Sequence, residues 1–155
     1  MERKLDLTIT GGTLRLRSRP ATEGDWEWGP GNRAQGAVLH DGLVLLDALA
    51  DDEFGADVIL RTPERFSPDK RAQRTLQLPF TLHDKAELVL GSPSEELPVA
   101  LDAEPGEYTL IFEVCLGRDV FYTFTLLRQP CAEGSALKPD GWGLKKGQLL
   151  QPGVF

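Results

Sequence analysis

Few residues of this chain have the types and spacing to carry covalent or acid–base chemistry. Its two histidines, His40 and His83, lie in or beside predicted strands, and no Cys or His stands at zinc-ligand distance from either. Cys115 sits inside the apolar run YTLIFEVCL and reads as a buried small hydrophobe, while Cys131 follows Pro130 in a loop, so both are expected as free thiols. No nucleophile elbow or papain-like cysteine context accompanies them. The Gly-rich pieces GPGNRAQG and GWGLKKG precede no predicted helix, so they offer no phosphate cradle. The acidic stretch Asp47–Asp57 lacks the alternating ligands, central Gly and final Glu of a calcium loop. One carboxylate pair remains, Asp25 and Glu27 flanking Trp26, an arrangement that a glycosidase site can show but that ordinary surfaces also carry.

The charge map says more than the motif search. Asp41, Asp47, Asp51, Asp52, Glu53 and Asp57 fall in a stretch from Asp41 to Leu60 with no Lys or Arg. Glu87, Glu95, Glu96, Asp102, Glu104, Glu107 and Glu113 fall in a second base-free stretch, Ala86 to Gly117. Between them Arg61, Arg65, Lys70, Arg71 and Arg74 predict a basic patch. A segregated negative field raises association rate with a basic partner, and a nuclease with a DNA-binding groove is one such partner.

Positioning these groups falls to strands. Leu5, Leu7 and Ile9 alternate with polar residues, Gly11-Gly12 intervenes, and Leu14 and Leu16 alternate again, which predicts a hairpin. The segment Arg19–Gly36 has four Gly and two Pro and reads as a long loop pinned by Trp26 and Trp28. Asp41-Gly42 marks a type I′ turn between apolar runs. Further strands are predicted at Ala56–Arg61, Arg74–Leu82, Ala86–Leu90, Leu97–Leu101, Glu107–Val114 and Val120–Leu127, the last two the strongest. Pro79 predicts an edge strand or bulge. Helix is limited to a turn or two within Leu45–Phe54 or Pro63–Arg74.

Short strands with frequent turns predict an all-β fold, an antiparallel β-sandwich over residues 1–128. Residues 129–155 read as an irregular C-terminal extension that packs on the sandwich or trails from it. It carries Trp142, Leu144, Leu149, Leu150 and Phe155. The inner faces are expected to draw on Leu5, Leu7, Val58, Leu60, Leu76, Leu78, Leu88, Leu90, Leu110, Phe112, Val114, Phe121 and Phe124, with parity undecided among Phe121, Tyr122 and Phe124.

A chain of 155 residues with 41% hydrophobic residues can fill one core. No run approaches the roughly 20 apolar residues of a membrane span, and MERKLDLTIT has no leader-type apolar core, which predicts a cytoplasmic protein. A net charge of −7 disfavours DNA or anionic lipid as a bulk ligand.

The order of several pieces resembles a known family. Asp25-Trp26, Gly36 before a strand and the strand ending Val58–Arg61 come first. Alternation running into Leu78-Pro79-Phe80 follows, and then the turn Pro105-Gly106-Glu107-Tyr108 into a long strand with Thr109 and Leu110. This order resembles the competence protein J family, small β-rich bacterial proteins typified by the inhibitor of the DNA-entry nuclease. The resemblance spans roughly Leu5 to Leu127 and implies a non-catalytic nuclease inhibitor, but no contact residue carries over with it.

The leading expectation is therefore an inhibitor or immunity-like protein that occludes a basic enzyme. Its contact residues are expected to be Asp47, Asp51, Asp52, Glu53, Glu95 and Glu96, with Trp26 from the loop. No catalytic or metal-binding residue and no cofactor is predicted; the partner is a protein, with no direct nucleic acid and no membrane insertion. The alternative is a small-ligand or carbohydrate-binding module that stacks sugars on Trp26 and Trp28.

Overall fold

The computed structural model describes residues 1–50, 52–139 and 143–155. In chain order the strands are β1 (Glu2–Ile9), β2 (Thr13–Arg17), β3 (Ala37–His40), β4 (Leu43–Asp47), β5 (Phe54–Arg61), β6 (Ala72–Leu82), β7 (Val89–Gly91), β8 (Glu96–Pro98), β9 (Gly106–Leu116), β10 (Val120–Leu127), β11 (Gly134–Lys138) and β12 (Leu149–Leu150). A six-residue helix α1 (Pro30–Gln35) and a 3-10 turn at Lys85–Glu87 are the described helical pieces. The strands form a seven-stranded sheet, β1-β5-β10-β9-β6-β11-β12, and a five-stranded sheet, β3-β4-β2-β7-β8.

Alternation places one side chain in two between the sheets, which makes the core. Leu14, Leu16, Val44, Leu46 and Leu90 from the small sheet meet Leu7, Val58, Leu60, Leu76, Leu78, Leu110 and Phe112 from the large one, all fully buried. Each such side chain contributes about 1.5–3 kcal/mol by leaving water. Phe112 stacks on Tyr122 at 6.0 Å between centroids and tilts against Phe124 at 5.0 Å. This settles the parity of β10: Tyr122 and Phe124 point inward, and Phe121 points outward beneath the Arg71 guanidinium. Leu5, near the open end of β1, is half-buried.

Several local expectations differ from the structure. Gly11 (φ 61°) and Gly12 (φ 62°) do form a tight turn, but β1 pairs with β5 and β2 with β4 and β7. The turn carries the chain from one sheet to the other rather than closing a hairpin. Asp41-Gly42 does close one, with His40 opposite Leu43. Only Gly42 (φ 70°) is left-handed there, so the turn is not type I′. The β5–β10 pair is parallel, an exception in an otherwise antiparallel sheet. Among the described residues, neither Leu45–Phe54 nor Pro63–Arg74 is helical; the helix is instead in GPGNRAQG, with Pro30 at its first turn and left-handed Gly36 at its end.

The extension after Gln129 is less irregular than expected. β11 lies along β6, with Ala136 opposite Leu76, and β12 adds to β11. Beyond the last β11 partner, Gln77, β6 has a neighbour on one side only, and Pro79 falls in that stretch. Leu144 and Leu150 enter the core, whereas Leu149 stays exposed. Trp142 lies outside the described residues.

The chain between β5 and β6 must cross β10 and β9 on the outer face of the large sheet. Thr109, Ile111, Glu113, Cys115, Thr123 and Thr125 are buried on that outer face although none points into the core; the crossover meets Glu113 through the Asp69 amide, and the Thr109 hydroxyl donates to the Gln129 carbonyl. The Cys115 thiol, sealed there with Glu113 and Asp69 nearby, is pushed up to about 12, chiefly by burial. Both cysteines are free, and the Cys131 thiol donates to the Glu133 carbonyl.

Candidate partner-binding surface

Three connections meet at one end of the sandwich: the β1–β2 turn, the loop from Ala48 to β5, and the β7–β8 turn. The Ala48 amide donates to the Gly12 carbonyl at 2.9 Å, and the Thr10 hydroxyl donates to Ser94 at 3.0 Å. The two acidic stretches therefore approach each other around Gly11-Gly12. Their loop is anchored from within, because the buried Tyr122 hydroxyl donates to the Ala48 carbonyl at 2.7 Å. Asp47 Oδ1 accepts the Leu49 amide at 2.8 Å and holds Leu49 at φ 56°. That left-handed backbone, unfavourable for a branched side chain, fixes the direction in which the next residues leave the sheet.

The candidate carboxylates at this end do different work. Asp52 and Glu53 are exposed and make no ion pair among the described residues. Asp51 lies outside the described residues. Asp47 is half-buried and spent on the Leu49 amide. Glu95 turns back onto the sandwich, where its Oε1 accepts the Thr8 amide at 3.1 Å while Ser92 donates to the Thr8 carbonyl at 2.6 Å. Together they cap part of the open edge of β1, where an unpaired strand would invite another chain. Glu96 is paired with Arg17 at 3.1 Å, and Glu87 lies 3.9 Å from the same guanidinium.

Around the corner, the outer face of the small sheet has its own apolar cluster. Val38, Leu43 and Leu45 point away from the main core and are covered by half-buried Trp26 and Trp28. The loop that brings the indoles there is tied by Asp25, which accepts from Arg19 at 2.9 Å, from the Thr22 amide at 2.6 Å and from the Thr22 hydroxyl at 3.0 Å. The Arg19 hydrogen bond, reinforced by Thr22, holds the Asp25 carboxyl well below the usual carboxylate range. Asp25 is thus committed to the loop rather than paired with Glu27. Neither indole stands free as a sugar platform: Arg15 lies over Trp26 at 4.0 Å and Arg33 over Trp28 at 5.8 Å. A shallow depression of about 160 Å³, lined by Gly11, Gly12, Thr13, Trp28, Arg33, Asp47 and Ala50, joins this face to the acidic end.

The predicted basic patch is partly neutralised within the chain. Arg61 pairs with Glu2 at 3.4 Å, Arg71 pairs with Asp69 at 3.0 Å, and Arg74 is buried, so close to Gly36 that a Cβ there would strike its guanidinium. His83 sits at the opposite end, 3.0 Å from Asp41. No group of three or more His, Cys, Asp and Glu is placed to hold a metal among the described residues.

Sequence reasoning missed one further arrangement. Residues 151–155 run as a strap along α1 and the free edge of β3. Gly153 donates to the Leu39 carbonyl, Gln151 and Gln35 exchange two hydrogen bonds, and the Asn32 amide bonds both Gly153 and Phe155. Asn32 and Gln35 are buried, and Gly29 and Gly31 lack the Cβ that would strike Phe155. The Pro30 and Gly36 boundaries were the available signal, but a six-residue helix has no apolar period to betray it.

Residues 6–127 match the family model for competence protein J (ComJ). The chain belongs to the competence protein J family. Among solved structures it resembles Bacillus subtilis ComJ, described as an inhibitor of the DNA-degrading activity of NucA. The TM-score is 0.64 at 13% sequence identity, over 81% of this chain and 94% of that one. It also resembles the product of Crocagin biosynthetic gene J, with a TM-score of 0.51 at 16% identity over 82% of this chain and 96% of that one. No curated protein sequence matches the chain. At these identities the two structures share the fold, and the family match stops at Leu127, before β11, β12 and the strap.

Proposed function

We propose that this protein binds a DNA-degrading nuclease and inhibits it without catalysis of its own, meeting a basic surface with its acidic end. The observation that carries the reading is membership of the ComJ family, one of whose solved members is described as inhibiting NucA. The geometry supports it: Asp52 and Glu53 are exposed, and the start of their connection, Ala48 and Leu49, is anchored by Tyr122, Gly12 and Asp47. Such preorganisation lowers the ordering cost of association, and exposed carboxylates steer a cationic partner. Asp47 and Asp51 belong to the same acidic stretch, and Trp26 to the adjoining face.

The direct test is degradation of duplex DNA by Bacillus subtilis NucA, measured with increasing amounts of the purified protein. Stoichiometric loss of nuclease activity supports the reading. Undiminished activity with excess protein, together with no complex by size-exclusion chromatography, argues against it.

A further inference from the structure

The arginines near the end of β2 have carboxylate partners, with one exception. Arg17 has Glu96 and Glu87, and Arg19 has Asp25. Arg15, two residues earlier on the same outer face as Arg17, makes no ion pair among the described residues. Its guanidinium carbon lies 4.0 Å from the centre of the Trp26 ring, and its Nε is buried without a hydrogen-bond partner. Burial draws its pKa down, with Glu96 opposing only in part. Beside it, Arg33 lies over Trp28, also without a carboxylate among the described residues. In a chain with 24 acidic and 17 basic residues, a partly desolvated cation with no carboxylate in contact among the described residues is conspicuous. Its burial carries a cost that a facing carboxylate would offset.

We propose that the Arg15–Trp26 stack anchors the nuclease interface and accepts an Asp or Glu carboxylate from the partner protein. The inference rests on the inhibitor reading above. Trp and Arg are the types enriched where binding energy concentrates, in well-packed pockets that become fully desolvated in the complex. Val38, Leu43 and Leu45 supply that packing from below. A nucleic-acid strand is the poorer occupant, because Glu23 and Glu27 on the same loop and Glu96 on β8 would face its phosphates. A single carboxylate set in a basic protein surface meets Arg15 while its surroundings meet the acids. The depression lined by Trp28, Arg33 and Asp47 joins the stack's face to the acidic end, so one partner can span both.

The experiment uses the full chain and Bacillus subtilis NucA, with binding kinetics, inhibition and melting temperature measured together. Arg15→Gln should weaken binding by about tenfold or more, mainly through faster dissociation. Arg15→Lys, which keeps the charge and the stem over Trp26 but loses the fork, should lose less. Arg65→Gln, an exposed site in the β5–β6 crossover, should bind as the wild type does. Arg15→Gln and Arg15→Glu that fold and bind as tightly as wild type would overturn the anchor and leave the inhibitor reading standing. Wild-type protein that neither binds nor inhibits NucA would overturn the reading itself, and the anchor with it. Retention of a single-stranded oligonucleotide by wild type, lost in Arg15→Gln, would overturn the assignment to a protein carboxylate.

Discussion

Glu113 and Thr123 face each other across the β9–β10 ladder, and the Thr123 hydroxyl donates to Glu113 Oε1 at 2.7 Å on the outer side of the large sheet. The other carboxylate oxygen accepts the Asp69 amide at 3.0 Å from the crossover on this face. A fully buried carboxylate is thereby satisfied by one strand and one loop, and it pins the loop to the sheet.

Glu113→Ala should therefore be costly, because it orphans the Thr123 hydroxyl and frees the crossover from its anchor. A loss of about 2–4 kcal/mol in urea unfolding is expected. Glu113→Gln should lose less, since its carbonyl still accepts one of the two donors. Hydrogen exchange at Asp69 should accelerate in both variants.

Much of this architecture is legible in the residues, and the failures have physical causes. Alternation located most of the strands, and all the core positions it named except Leu5 and Phe121 are buried, because a pleated strand with one buried face leaves that trace. It could not decide β10, where Thr123 and Thr125 are buried on the outer face as well. Gly11-Gly12 announced a turn correctly but could not say that the strands on either side enter different sheets. The acidic runs announced a segregated charge but not what each carboxylate does. That Glu95 caps Thr8 and Glu96 holds Arg17 depends on strand neighbours that spacing does not reveal. The Arg15–Trp26 stack joins a strand to a loop folding back over it, and local pattern carries no record of that return.

Asp25→Asn tests the tie that holds the tryptophan loop. The Asp25 pKa is depressed in the folded state, so its ionised form stabilises the fold above the unfolded value of about 3.9. That contribution is lost as pH falls below this value toward the folded one. Wild type should exceed the variant by about 2 kcal/mol at pH 7, given hydrogen bonds to a charged acceptor. The difference should shrink steadily as unfolding is measured below pH 4. A difference independent of pH would mean that the Arg19 and Thr22 contacts contribute little.

The strap can be lifted by one methyl group. A Cβ at Gly31 would run into the Phe155 ring, so Gly31→Ala should displace residues 151–155 while leaving both sheets intact. Asn32 and Gln35 would then lose bonds made in the buried groove, at about 1–2 kcal/mol. Exchange–mass spectrometry should show faster labelling of residues 151–155 with little change in β9 and β10. Protection equal to wild type would show that the strap finds its bonds without Phe155 in place.

Asp52→Asn combined with Glu53→Gln separates steering from anchoring. Both side chains are exposed and unpaired among the described residues, so their removal should leave the melting temperature within about 2 °C. Association with NucA should slow several-fold at low salt, with dissociation nearly unchanged. The difference between variant and wild type should narrow as salt rises, because the Debye length falls to about 8 Å at physiological ionic strength. Glu96→Gln provides the contrast. Its carboxylate is bound to Arg17, so it should lower stability by up to about 1 kcal/mol and alter the on-rate less. An on-rate that tracks Glu96 and ignores Asp52 and Glu53 would move the steering surface from the loop to the β7–β8 turn.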